Sequence, residues 1–243
     1  MKIKIFLLTF LLSIGALVGF AQDEDASSES KEPAVKRTKA EIKAAIAEKV
    51  KTLENGDVVI EPPERPNVNL REISDVPFTL IYLMCYVDEN SDFPKFAKIV
   101  STKAKKDAKG MRIIDDLMDA TAAYFSTQNL NFAKMSFSAN NVRQKIDNGL
   151  PVFCWFQASE LFSTTIAMRS KERPTDGDMK EWAVSLRKSS IKDFKKSNMR
   201  DDGLVVGYNK ATNEYLVLFG SGKVWLTESE MKKAAYQLFQ LRL

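Results

Sequence analysis

Two apolar runs separated by a short polar tip constrain this chain more than any other stretch. Asp201-Asp202-Gly203 leads into Leu204-Val205-Val206-Gly207-Tyr208-Asn209. Lys210-Ala211-Thr212-Asn213 interrupts, and Glu214-Tyr215-Leu216-Val217 resumes. Runs rich in leucine and β-branched residues, bounded by a polar tetrapeptide, form a β-hairpin, here with Lys210 to Asn213 at its tip. The rest of the chain must supply more antiparallel sheet and something to cover it.

Val76 to Val87 is apolar nearly all round: Val76, Leu80, Leu83, Met84 and Val87 share one face, and Phe78, Ile81 and Cys85 another. A helix without a polar side is buried in a core. Asp75 stands immediately before it and Pro77 in the first turn, as a helix start requires. Two more helices are expected around 94–105 and 111–125, with the lysines between Lys103 and Lys109 as a solvated face and junction. Residues 139 to 148 read as a helix turning Val142 and Ile146 inward, with Gly149 as its C-terminal cap. Pro151 to Phe156 is apolar on both alternating faces, the pattern of a central strand covered on both sides. Residues 158 to 199 are charged and helical in tone, with Trp182, Leu186 and Phe194 as anchors. Beyond the hairpin, Gly220-Ser221-Gly222 reads as a strand turn and Lys223 to Leu226 as a short strand. Thr227-Glu228-Ser229-Glu230 is a capping box opening a helix to about Ala235, and Tyr236 to Leu241 alternates as a closing strand. A buried helix, a helical stretch and then several antiparallel strands make an α+β plan, one domain from about 38 to 243.

The N-terminal part differs in composition. Lys2 and Lys4 precede the apolar run Ile5 to Phe20, and Gly19-Phe20-Ala21 offers small residues to a signal peptidase. Residues 1–21 therefore read as a signal peptide cleaved after Ala21, which implies a secreted or periplasmic protein. An uncleaved anchor is the rival reading, but about 16 apolar residues is short for a span. No second long apolar run follows, so no membrane association is expected beyond the leader. Residues 22–37, rich in Asp, Glu and Ser, read as a disordered tether. Over 38–66 a helix from Thr38 carries Ile42, Ile46, Val50 and Leu53 at helical spacing, with Asn55-Gly56 as its stop. Val58-Val59-Ile60 has the composition of a short strand, and Glu61 to Pro66 forces an extended connector. The main domain runs over 67–243.

Charge excludes some functions. Without Lys2 and Lys4 the 36 basic residues become 34 against 32 acidic ones, a net +2. That balance does not suit nucleic acid or an anionic membrane surface. Cys85 and Cys154 are too few for a disulfide framework. Export would permit one bond between them, and their apolar settings suit buried free thiols equally. No Gly-rich phosphate loop occurs among the ten scattered glycines. Ser159, Ser163, Thr164 and Thr165 offer hydroxyls without a base.

Three pieces together resemble the papain-like cysteine peptidases of the bacteriocin-processing, double-glycine-cleaving kind and their secreted bacterial relatives, over roughly residues 65 to 243. Val76-Pro77-Phe78-Thr79 is similar to the tetrapeptide that follows the nucleophilic cysteine and opens a buried helix. Asn148-Gly149-Leu150-Pro151-Val152 is similar to the helix end and strand that follow. Gly207-Tyr208-Asn209, with Thr212 and Glu214, is similar to the hairpin behind the histidine, and Trp225-Leu226-Thr227 continues the match. The resemblance implies a papain-like fold with a buried N-terminal helix packed on a small antiparallel sheet.

The chemistry does not carry across. Asp75 stands in the cysteine's place and Asp201 in the histidine's. The residue that would orient the histidine falls near Phe219, and the tryptophan-glycine pair beyond it is reduced to Ser221-Gly222. Nothing around Asn69 to Ser74 supplies the oxyanion glutamine. The chain contains no histidine at all, and thiol attack needs a thiolate normally made by an adjacent imidazole. The resemblance thus implies a pseudopeptidase with no catalytic residue, no metal and no cofactor, holding a peptide or protein segment in a groove beside the 76–87 helix. Cleft candidates are Asp75, Trp155, Gln157, Asp201 and Asp202. If Asp75 and Asp201 met across that groove, they would repel, raise one pKa or hold a cation. In the plainer reading Asp75 caps a helix and Asp201-Asp202 begin a turn. The competing functions are an envelope-associated structural or interaction protein, and a hydrolase with a carboxylate site.

Overall fold

The computed structural model describes residues 38–61, 63, 76–88, 91–108, 113–157, 160, 200–219 and 222–243. Eight strands join in one antiparallel sheet: β1 (Val50–Thr52), β2 (Asp57–Ile60), β3 (Asn131–Met135), β4 (Val152–Gln157), β5 (Arg200–Asn209), β6 (Glu214–Phe219), β7 (Gly222–Thr227) and β8 (Ala235–Arg242). Six helices accompany them among the described residues: α1 (Lys39–Ala47), α2 (Phe78–Val87), α3 (Phe93–Lys103), α4 (Ile114–Ser126), α5 (Ala139–Asp147) and α6 (Glu228–Ala234). The class is α+β.

β5 is the strand on which the sheet divides. Its residues 204 and 205 pair with β4 on one edge and β6 on the other. Residues 207 to 209 keep β6 but exchange β4 for β2. A bulge between Val205 and Gly207 marks the exchange. Such a bulge bends its strand and increases the local twist, which curls the sheet instead of extending it flat. The β5–β6 hairpin turns over Lys210 to Asn213 as its sequence predicts, with Asn213 at φ +54.

β4 lies between β5 and β8 and is buried on both faces. Phe153 and Trp155 enter the larger core, with Leu80, Leu83 and Met84 of α2 and Phe125 of α4. Val152, Cys154 and Phe156 enter a second core with Val142 of α5, Val217 of β6 and Met231 of α6. Burying an aromatic side chain such as Phe153 or Phe156 stabilises by roughly 1.5–3 kcal/mol. The unbroken apolar run Pro151 to Phe156 has this two-sided burial as its cause.

α2 buries every residue from Thr79 to Val87 except Tyr82, which is half-buried. It starts later than its sequence suggests. Pro77 occupies the cap position and makes no side-chain cap hydrogen bond, and the helix runs from Phe78. Proline lacks an N–H, so a place outside the first turn leaves no hydrogen bond missing. Asp75 lies outside the described residues.

The start of the domain departs further from expectation. α1 opens with the Thr38–Glu41 capping box and carries Ile42 and Ile46 inward, but it ends at Ala47. Val50 does not continue it. Val50 pairs with Ile60 and Thr52 with Val58 as β1 folds back on β2, and Leu53 is left 47% exposed in the turn. Asn55-Gly56 is the tip of that hairpin, not a helix stop: Asn55 Oδ1 accepts the Asp57 N–H at 3.0 Å, and Gly56 takes φ +80. The helical spacing of Val50 and Leu53 lost to an available sheet edge, because β5 offers residues 207 to 209 to β2. Residues 50 to 60 are therefore part of the sheet.

α3, α4 and α5 fall within two or three residues of the expected ranges. At the end of α5, Gly149 N–H donates to the Ile146 carbonyl at 2.8 Å and Leu150 N–H to that of Lys145 at 2.9 Å, with Gly149 at φ +72. This is a Schellman cap. Thr227 and Glu230 form the expected capping box on α6. β3 has no counterpart in the sequence reading. It pairs with β8, where Phe132 and Phe239 stack at 5.3 Å between ring centroids. The leader, the tether, the connector beyond Pro63, Gly220-Ser221 and the anchors Trp182, Leu186 and Phe194 lie outside the described residues.

Candidate functional site

The first turn of an α-helix carries N–H groups without intrahelical partners and the positive end of the helix dipole. Pro77 supplies no capping side chain to α2. The start of β5 supplies one instead. Asp202 accepts a short hydrogen bond through Oδ2 from the Thr79 hydroxyl, and the Thr79 backbone N–H also donates to its carboxylate. A carboxylate from a distant strand thus caps a buried helix.

Asp201 and Asp202 do not begin a turn; both lie inside β5. Asp202 stands opposite Trp155 and Asp201 opposite Phe156. Side chains alternate along a strand, and here Leu204 faces the larger core while Val205 faces the second. Asp202 shares the face of Leu204, Trp155 and α2. Asp201 shares the face of Phe156 and Val205. The aspartate at the start of α2 is therefore Asp202, one residue beyond the one the resemblance aligns with the histidine.

The two carboxyls are electrostatically distinct. Burial, and after it the neighbouring charge of Asp202, push Asp201 up to about 6, opposed by the Asp202 N–H that donates to Asp201 Oδ1 at 2.9 Å. Burial also raises Asp202, and both Thr79 donors pull it back. The hydroxyl and amide favour the ionised form of Asp202, whereas among the described residues Asp201 accepts from the Asp202 N–H alone.

Trp155 is 7% exposed, sits edge-on to Phe153 at 5.5 Å, and its indole N–H has no partner among the described residues. Gln157, half-buried, stands opposite Arg200, whose guanidinium lies 4.1 Å from the centre of the Tyr236 ring. Trp155, Gln157 and Asp202 thus share one face at one end of the β4–β5 ladder.

The Gly207-Tyr208-Asn209 motif holds the fold together. A Cβ at Gly207 would stand 2.8 Å from the Val58 carbonyl oxygen, so only glycine lets β2 approach. The Tyr208 hydroxyl donates to Asp147 Oδ1 at 2.7 Å, fastening the end of α5 to the hairpin. Asn209 Nδ2 donates to Asp57 Oδ1 at 2.7 Å and to the Asn55 carbonyl at 3.2 Å. Its Oδ1 accepts from Ala211 and Thr212 N–H at 2.9 and 3.1 Å. One amide therefore closes two hairpin turns. Arg143, which the sequence reading did not single out, adds a third tie. It donates to Asn213 Oδ1 at 3.0 Å and lies over the rings of Tyr208 and Tyr215. Lone charged residues on helices carry no sequence signal for such a role.

Neither cysteine is in a disulfide, and both are buried. Burial pushes the Cys154 thiol well above its ordinary value. With no imidazole in the chain, neither sulfur has the histidine that ordinarily generates a thiolate. Among the described residues no cluster of three or more Cys, Asp or Glu side chains is placed to hold a metal ion, and no helix is long and apolar enough to cross a membrane. No family model matches the chain, and no curated protein matches it in sequence.

Proposed function

We propose that this chain is a secreted or periplasmic, catalytically inactive relative of the papain-like cysteine peptidases that holds a peptide or protein segment instead of cutting it. The observation that carries the reading is the Asp202 carboxylate at the first turn of α2. Where the resembling enzymes present a nucleophile and its base at a helix start, this chain presents an acceptor that satisfies the helix's own donors. A carboxylate so engaged is not a thiol-activating base, and the two thiols lie elsewhere in the core. The α+β architecture, the buried helix lying against β4 and β5 and the curled antiparallel sheet are consistent with a papain-like fold.

A hydrolase built on the adjacent pair Asp201 and Asp202 fits less well. Two carboxylates that share a hydrolysis flank one scissile bond, and these two leave β5 on opposite faces. The test is to incubate the exported chain with a mixed library of quenched fluorescent peptides, and to pass the same peptides over the immobilised protein. No cleavage and saturable retention of a subset are expected. Turnover that survives repurification would overturn the inactivity. Retention of no peptide would overturn the binding role and favour a protein that uses the fold only as a surface.

A further inference from the structure

Two consecutive half-buried carboxylates on β5 are engaged on opposite faces of the sheet, one with a helix and one with its own backbone. Asp202 is held by Thr79 of α2, and Asp201 Oδ1 takes the Asp202 N–H at 2.9 Å. Among the described residues, the surrounding elements bring few charged groups to this end of β5. β4 presents Trp155, Phe156 and Gln157, and α2 contains no charged residue, its titratable groups being Tyr82, Cys85 and Tyr86. β6 ends here in Leu218 and Phe219, with Glu214 at its far end. On β5 itself Arg200 lies over Tyr236 of β8, Lys223 of β7 stands opposite Leu218, and Lys233 of α6 pairs with Glu160 at 2.7 Å.

We propose that Asp201 and Asp202 form a proton-operated latch that sets how tightly the first turn of α2 is held against β5. Two adjacent carboxyls in a poorly solvated place resist carrying two charges at once, and they titrate as a pair. Asp202 has the hydroxyl and amide donors of Thr79, so it ionises first. Asp201 retains its proton to about 6, through burial and the charge beside it. With Asp201 neutral, a single anion sits at the positive end of α2, the arrangement a helix dipole favours. When Asp201 ionises, mutual repulsion is relieved if Asp202 leaves Thr79 and turns to water. The latch is tight while Asp201 holds its proton and loosens as the pH rises through about 6.

Amide hydrogen exchange over Phe78 to Leu83 in the full chain, expressed as protection factors, reads the latch directly. Wild-type protection is expected to fall about five- to tenfold between pH 5 and pH 7.5, while that of α5 changes little. Asp201→Asn should hold the high value at both pH values, and Asp202→Asn the low one. Wild-type protection that does not fall with pH, or an Asp201→Asn variant with the wild-type pH dependence, overturns the proposal. Should the variants fail to fold, carboxyl carbon titration of the wild-type chain decides. Asp201 ionising well after Asp202 supports the latch; both ionising together at ordinary carboxylate pH rejects it.

Discussion

Thr79 and Asp202, 123 positions apart in the chain, meet where α2 begins, the hydroxyl of one donating to the carboxylate of the other. The contact joins the buried helix to the strand on which the sheet divides. Hydrogen bonds to charged groups contribute about 1.5–3 kcal/mol, and stranding one partner costs at least as much. Asp202→Ala should therefore destabilise by about 2–3 kcal/mol in denaturant unfolding at about pH 5, and Thr79→Val by about 1–2 kcal/mol. The double variant should lose less than the two together, because they share one interaction. Strict additivity would show that the pair does not act as a unit.

Asp201 makes stability depend on pH in the direction opposite to most carboxylates. Its folded value of about 6 exceeds its ordinary 3.8, so the folded state gives up this proton less readily than the unfolded chain. Ionisation then costs stability: nothing below about pH 3.8, progressively more up to about 6, and up to about 3 kcal/mol in full above that. Asp201→Asn removes the cost. The variant should exceed wild type in guanidinium midpoint at pH 8 and match it at pH 3.5. A variant that is no more stable at pH 8 would contradict the raised value.

Gly149 and Gly56 separate strain from steric clash. Both sit at positive φ, but a Cβ at Gly149 would lie 2.2 Å from the Ile46 carbonyl oxygen, whereas at Gly56 the nearest atom is Asn209 Nδ2 at 3.9 Å. Gly56→Ala should cost about 1–2 kcal/mol, the left-handed conformation alone. Gly149→Ala should cost at least about 3 kcal/mol, because the end of α1 must also move. Equal losses by thermal or chemical unfolding would refute the close approach.

Asn209 closes two turns with one side chain. Asn209→Ala leaves the Asp57 carboxylate, 2% exposed, without the donor 2.7 Å away. A loss of about 2–3 kcal/mol is expected. Exchange of β1 and β2 amides should rise more than that of β4, since Asp57 and Asn55 sit at the β1–β2 turn. Uniform acceleration across the sheet would place the role of Asn209 elsewhere.

The thiols give a direct check on the core. Cys85 is 3% exposed and Cys154 fully buried. Native protein should react with a thiol-specific reagent at least about a hundredfold more slowly than a free thiol, and both cysteines should label at once in denaturant. Rapid native labelling of either would be incompatible with the packing of α2 or β4.

Much of the architecture was legible because local and tertiary demands agree. The 201–217 hairpin, the two-sided strand around Cys154, the all-apolar helix and the α6 capping box each need only a pattern within about ten residues, and each appears where that pattern lies. β2 was legible in the apolar run Val58 to Ile60, but β1 was not. Val50 and Leu53 satisfy a helical period as well as a strand, and the vacant edge of β5 that decides between them lies some 150 residues away. β3 was missed for the same reason: Asn131 to Met135 becomes a strand through pairing with β8, near the end of the chain.

By itself the sequence determined what chemistry the chain can carry: without histidine, and with its only cysteines in apolar runs, it holds no thiol–imidazole pair. It also determined that Gly207, Tyr208 and Asn209 matter, without saying for what. Only the tertiary structure decided that they serve as a spacer, a tie to Asp147 and a lock on Asp57. Only the tertiary structure decided that Asp202 is the carboxylate at the helix and Asp201 the one on the other face. The physical reason is the two-residue period of a strand: adjacent aspartates are equivalent on paper, and the register with Trp155 and Phe156 sends each to a different side.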